Sequence, residues 1–144
     1  MTTNAALPAV HRLFHAINQR DLEPLPQLVT DDFIDHGSPV AVPRGPGGYA
    51  QILGFVTQVL NVSYHVEEII CTEDRIVVRA VGNGIAVAAV HGPAAAGRPY
   101  RMDTVHVYRT DGDRLAEHWG VRDELGALIQ LGVLPAPQLD LTPA

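Results

Sequence analysis

Three histidines stand where proton chemistry can be done. His36 closes the alternating stretch Asp32-Phe33-Ile34-Asp35-His36, just before Gly37. His106 lies in an alternating run with Met102, Thr104 and Tyr108 on its own face, because side chains two apart in a strand point the same way. His118 shares its face with Ala116 and Gly120 in the next run, and the turn Asp111-Gly112-Asp113 folds one run back beside the other. His106 and His118 are therefore expected over one cavity. An imidazole with an ordinary pKa of about 6.5 accepts and returns protons near neutral pH.

Composition removes most other chemistries. All ten cations are Arg, so no lysine is present for a Schiff base, a phosphate-loop contact or pyridoxal attachment. The single Cys71 rules out an intramolecular disulfide and a Cys-rich zinc site, and suits a reducing cytoplasm. Ser38 and Ser63, the only serines, lie outside any G-x-S-x-G elbow. His11 and His15 are four apart on a helix, but no carboxylate joins them in that segment, so a solvated face is the reading and no metal is expected. A net charge of −6 without a basic run argues against nucleic acid. The N-terminal residues lack the pattern of a signal peptide, and no apolar run reaches membrane-spanning length, so no membrane association is expected.

The elements that must position these histidines follow from periodicity. Val10, Leu13, Phe14 and Ile17 form a helical stripe within residues 4–19, and Asp21 to Val29 reads as a short, Pro-interrupted second helix. Gly37 to Gly48 is a Gly/Pro-rich loop, and helical period returns from Tyr49 through Leu60. After Asn61 the period becomes two. Strands are expected at Ser63–Thr72, Arg75–Val90, Tyr100–Arg109 and Leu115–Val121, with a bend or bulge at Gly82-Asn83-Gly84. Leu125, Leu128 and Leu131 make a closing helical stripe. With 144 residues and 47% hydrophobic content, residues 1–134 read as one α+β domain and 135–144 as a Pro-rich tail.

Several of these segments resemble the SnoaL-like polyketide cyclases. Asp32-Phe33-Ile34-Asp35-His36-Gly37 is similar to that family's D-F-x-D-H stretch. Gly97-Arg98-Pro99-Tyr100-Arg101, followed by Val105-His106-Val107-Tyr108-Arg109, is similar to its G-R-P strand. Asp111 to Trp119 with Gln130-Leu131-Gly132 resembles its D-G-x-I-x-E-H-W-D and Q-L-G close. The resemblance runs from about Val10 to Leu134. It implies a cone-shaped barrel, in which a curved antiparallel sheet wraps the N-terminal helices around one deep apolar pocket. It also implies a homodimer through the outer face of the sheet.

The resemblance makes His36, His106 and His118 the expected catalytic residues. Tyr49, Phe55, Met102, Thr104 and Gly120 are the expected substrate contacts. One departure bears on mechanism. Family cyclases that use aldol chemistry carry an Asp as acid–base group where this chain has Gly120. Either another residue takes that role, or the ring closes by orientation alone, in a pericyclic or conjugate manner, with extra room beside Gly120 for a bulky substrate. The expectation is the latter: a cofactor-independent cyclase of bacterial secondary metabolism that folds a hydrophobic polyketide and joins two of its carbons. A carrier that binds such a molecule unchanged and a hydroxylase or isomerase of the same family are the alternatives. An Asp–Arg–Asp water-activating site from Asp35, Arg101 and Asp103 is disfavoured, because alternation turns Asp103 away from the His106 face. The same alternation puts Trp119 on the sheet's outer side.

Overall fold

The computed structural model describes residues 3–143. Helix α1 spans Leu7–Gln19 and buries Ala9, Val10, Leu13, Phe14, Ala16 and Ile17, the stripe that helical spacing requires. Both of its ends are pinned to the sheet. The Asn18 amide donates to the Tyr64 carbonyl and accepts from the Tyr64 N–H, each at 2.8 Å. At the other end Asn4 donates to the carbonyls of Thr72 and Glu73. These contacts fix which way Phe14 and Ile17 face.

Helix α2 is a single turn, Leu25–Leu28, and runs straight into β1, Val29–Asp35. Helix α3, Pro46–Gly54, continues into a π-helical turn at Phe55–Val59. Its start depends on two glycines. Gly45 has φ +92°, and a side chain at Gly48 would collide with the Pro43 carbonyl. Strands β2 (Ser63–Cys71), β3 (Arg75–Ile85), β4 (Pro99–Asp111) and β5 (Arg114–Arg122) follow, with a helical turn α4 (Ala88–His91) between β3 and β4 and α5 (Glu124–Gln130) at the end.

The sheet runs β1-β5-β4-β3-β2. Strands β2 to β5 pair antiparallel with their neighbours, but β1 pairs parallel to β5, with Asp35 opposite His118. The sheet is mixed, which corrects the all-antiparallel expectation. Alternation fixes which face a strand buries, not its partner or direction; β1 joins a strand far along the chain, where no hairpin dictates the pairing.

Three smaller expectations are also corrected. Strand β3 stops at Ile85, because the Ala-rich segment after Val87 takes a helical turn rather than extending to Val90. Gly82 to Gly84 stay in regular register with β4, and the irregularity falls instead in β2, between Val66 and Glu68. Gly84 makes room for the Tyr100 ring, whose nearest atoms would lie 2.5 Å from an added Cβ. On α5, Leu125 is exposed, and Ala127 and Leu131 face inward in a small cluster with Ala86, Ala95, Tyr100 and Met102.

The main core lies between the helices and the concave side of the sheet, around Leu13, Phe14, Phe33, Tyr49, Tyr64 and Tyr108. Residues 131–143 follow α5 without helix or strand, and most of them are exposed.

Candidate active site

A chain of four polar side chains crosses the buried side of the sheet. Asp35 Oδ1 lies 2.7 Å from His118 Nδ1. His118 Nε2 lies 3.0 Å from His106 Nδ1, and His106 Nε2 lies 3.1 Å from Thr104 Oγ1. The Thr104 hydroxyl donates to the Ala80 carbonyl at 2.8 Å. The register explains the line-up: the parallel pairing sets Asp35 against His118, and β4–β5 pairing sets His106 against Gly120, one inward position along from His118.

The rings are held from every side. His106 packs edge-to-face against Phe14 and Tyr64, with centroids 5.5 and 5.3 Å away. His118 stacks on Tyr108 at 4.8 Å, and the His106 ring lies edge to edge with it, 5.2 Å between centroids. All four imidazole nitrogens have partners within the protein. Asp35 differs. Its Oδ1 also accepts from the Gly37 N–H at 2.8 Å, and its Oδ2 has no hydrogen-bond partner among the described residues. The Asp35 side chain is only 2% exposed.

Burial and charge set the protonation pattern. Burial raises the Asp35 pKa, but the hydrogen bond and charge of His118, the Gly37 amide and Arg122 together hold it below 3.8. Burial, with His118 and Arg122 nearby, pushes His106 well below 6.5. Burial lowers His118 as well, and outweighs the opposing pull of Asp35. The buried phenols of Tyr49, Tyr64 and Tyr108 are all raised, chiefly by desolvation, so they stay protonated.

This chain borders a cavity lined by apolar and aromatic groups, among them Phe14, Ile17, Ile52, Leu53, Val56 and Tyr64, together with Tyr49, Tyr108, Arg122, Asp35, His106 and His118. Its volume is about 20 Å³, room for roughly one water. The deep pocket expected from the resemblance is closed here, because Tyr49, Ile52, Leu53 and Val56 of α3 and its π turn fill the space over the sheet.

Of the expected catalytic and substrate-contact residues, Tyr49, His106 and His118 meet at this cavity, and the others lie elsewhere. His36 points to the outer face, 42% exposed, stacked on Trp119 at 5.1 Å and 2.6 Å from a Glu117 oxygen. The inward position on that strand belongs to Asp35, two residues from the buried Phe33 and on the same face. Phe55 is exposed in the π turn. Met102 is buried under α5, and Thr104 is the far end of the polar chain rather than a cavity wall. Beside Gly120 there is no spare room: an added Cβ would sit 3.1 Å from His118 ring atoms and 3.5 Å from His106 Nδ1.

Sequence reasoning weighed Asp35 only within the disfavoured Asp–Arg–Asp site and passed over Arg122 and Tyr64. Strand parity carried the signal for the first two, since Asp35 shares a face with Phe33, and Arg122 with His118 and Gly120. Arg101 and Asp103 lie exposed on the outer face, 3.9 Å apart, so no Asp–Arg–Asp site forms. No group of three or more His, Cys, Asp or Glu is placed to hold a metal among the described residues. No helix of the structure is long and apolar enough to cross a membrane.

Helices set against a curved mixed sheet, with a polar chain buried between them, define an α+β cone of the nuclear-transport-factor-like type. An NTF2-like protein from Anabaena variabilis superposes with a TM-score of 0.66 at 13% identity, covering 85% of this chain and 92% of its own. Within that class, the chain belongs to the SnoaL-like polyketide cyclase family, whose model matches residues 9–131. Wild-type IdmH from Streptomyces antibioticus is 28% identical, with a TM-score of 0.74, over 87% of this chain and 96% of IdmH. A SnoaL-like polyketide cyclase from Agrobacterium tumefaciens shares the fold at 18% identity and TM-score 0.74, over 86% of this chain and 95% of its own. No curated protein matches the chain in sequence.

Proposed function

We propose that this protein closes a carbon–carbon ring in a flexible, mostly apolar polyketide without a cofactor. Asp35 is the acid–base group, and His118 and His106 stand behind it. One arrangement carries the reading: a carboxylate almost wholly out of water, 2.7 Å from a buried imidazole, on the wall of a cavity lined largely by apolar and aromatic groups. The resemblance had pointed to closure by orientation alone, because Gly120 offers no proton. The extra room that reading expected beside Gly120 is filled by the two histidines.

In the proposed step Asp35 Oδ2 takes a proton from a carbon flanked by carbonyls. The electron pair left on that carbon forms the new bond to a ketone or enone carbon. The electron pair displaced onto oxygen then recovers the proton from Asp35, so no oxidant or reductant is consumed. Apolar and aromatic walls, Tyr49 included, hold the chain folded and exclude water, which strengthens the charge interactions. His36 has no part in this step. Pairing of two copies through the outer sheet face belongs to the same reading, because Val105, Trp119 and Val121 expose apolar surface there.

The test uses linear polyketide thioesters carrying a 1,3-dicarbonyl unit and a distal ketone or enone, with cyclised product followed by chromatography and mass. Asp35→Asn is expected to slow product formation by about 10²–10⁴-fold. Equal rates in wild type and Asp35→Asn would leave orientation as the cause and remove Asp35 from the mechanism. Oxygen uptake in step with substrate loss would identify a hydroxylase, and saturable binding with unchanged ligand a carrier.

A further inference from the structure

The polar chain has a direction, and its direction is set at the end farthest from the cavity. Thr104 Oγ carries one hydrogen, which it donates to the Ala80 carbonyl at 2.8 Å. Toward His106 the same oxygen can then only accept, so His106 Nε2 bears a hydrogen. A neutral His106 with its hydrogen on Nε2 presents a lone pair at Nδ1, and His118 Nε2, 3.0 Å away, must donate. His118 Nδ1 then faces Asp35 Oδ1 at 2.7 Å, where two lone pairs would repel unless one further proton lies between them.

We propose that Thr104 is a positioning residue: its bond to Ala80 fixes His106 as the Nε2–H tautomer and so obliges the His118–Asp35 pair to hold an extra proton. This rests on the proposed role of Asp35 only for its catalytic meaning; the wire itself stands on the four distances. Loss of that proton leaves His118 donating to Asp35 from Nδ1 and accepting at Nε2. His106 must then donate from Nδ1 and accept at Nε2, and Thr104 must turn its hydrogen away from Ala80. One proton thus reverses the His118–His106 and His106–Thr104 bonds and breaks the one from Thr104 to Ala80.

The groups facing the pair are few. Asp35 comes from the end of β1 and, more remotely, His36 from the residue after it, Arg122 from β5, Tyr108 from β4, Tyr64 from β2 and Tyr49 from α3. Helix α1 contributes only Phe14 and Ile17 to this cavity. Burial lowers the His118 pKa, so the proton-loaded form belongs to the acid side of the titration and is lost as pH rises.

Nitrogen-15 NMR of histidine-labelled protein reads each tautomer directly and needs no substrate. In wild type, His106 is expected as Nε2–H while His118 is doubly protonated. His106 should switch to Nδ1–H at the same midpoint at which His118 loses its proton. Thr104→Val removes the acceptor that holds the His106 Nε2 hydrogen. In that variant the coincident switch should vanish and the His118 midpoint should move to lower pH, while Thr104→Ser restores both. Wild-type His106 as Nδ1–H throughout, or identical titrations in wild type and Thr104→Val, would overturn the proposal. Neither result depends on turnover, so an unswitched wire in the wild-type protein, alongside lost activity in Asp35→Asn, separates this failure from that of the cyclase reading.

Discussion

The rings of His106 and His118 lie nearly in one plane, 17° apart with centroids at 5.2 Å, and a hydrogen bond of 3.0 Å joins Nδ1 of one to Nε2 of the other. Gly120 lies opposite His106 in the β4–β5 pairing, and its missing side chain is what admits the pair. An added Cβ would lie 3.1 Å from His118 ring atoms, so Gly120→Asp is not expected to create a working acid beside two intact histidines. Overpacking of this kind costs about 1–3 kcal/mol. Thermal unfolding should show the loss, and labelled-histidine NMR should show the 3.0 Å bond broken. A Gly120→Asp variant with unchanged Tm and unchanged histidine shifts would contradict this packing.

His36 supplies the opposite case. Its ring lies over Trp119 and within 2.6 Å of Glu117, on the outer face. A half-exposed pair of this sort contributes about 0.2–1 kcal/mol. His36→Ala is expected to change stability by no more than about 1 kcal/mol and turnover by less than about threefold. Denaturant midpoints and initial rates check both numbers, and a loss of turnover comparable with that of Asp35→Asn would return His36 to the site.

Acid should weaken the fold through the same buried chain. His106 and His118 have folded-state pKa values below 6.5, so below about pH 6.5 the unfolded chain binds protons that the native one refuses. Stability from these two is present above that pH and declines as pH falls toward their folded values. Asp35, also depressed, adds a contribution that is lost only at lower pH, as the carboxylate is protonated. Urea unfolding at pH 8 and pH 5.5 should show the higher midpoint at pH 8. His106→Gln should flatten that difference.

How far the sequence carried this picture depends on what each pattern encodes. Alternation put His106 and His118 on inward faces and Trp119 outward, because period two is a local property of extended backbone. The Asp111–Asp113 turn made the two strands neighbours, since hairpins are local as well. The parallel partnership of β1 with β5 spans more than eighty residues and leaves no local mark, so the Asp35–His118 contact was not legible. His36 was expected at the pocket, and Asp35 faces it instead, for a simpler reason: the family likeness outweighed the parity with Phe33. Closure of the cavity by α3 depends on side-chain volumes meeting across elements, and helical periodicity does not report those.

A cavity of about 20 Å³ holds little more than one water, so binding anything larger requires a wall to move, and α3 with its π turn supplies Tyr49, Ile52, Leu53 and Val56 of that wall. The helix departs from regular geometry at its C-terminal end. Its last turn widens into a π helix at Phe55–Val59, where the Thr57 hydroxyl bonds back to the Leu53 carbonyl at 2.8 Å. Leu53 is 6% exposed and projects from this end into the cavity. Leu53→Ala should therefore enlarge the cavity at a cost of about 2–4 kcal/mol, within the range for buried leucine truncation. If α3 is the barrier to admission, the variant should bind a small apolar probe such as benzene or xenon faster than wild type, despite its lower Tm. Calorimetry and xenon-detected NMR measure the two effects separately. Destabilisation without faster binding would place the route of admission on another side of the cavity, away from α3.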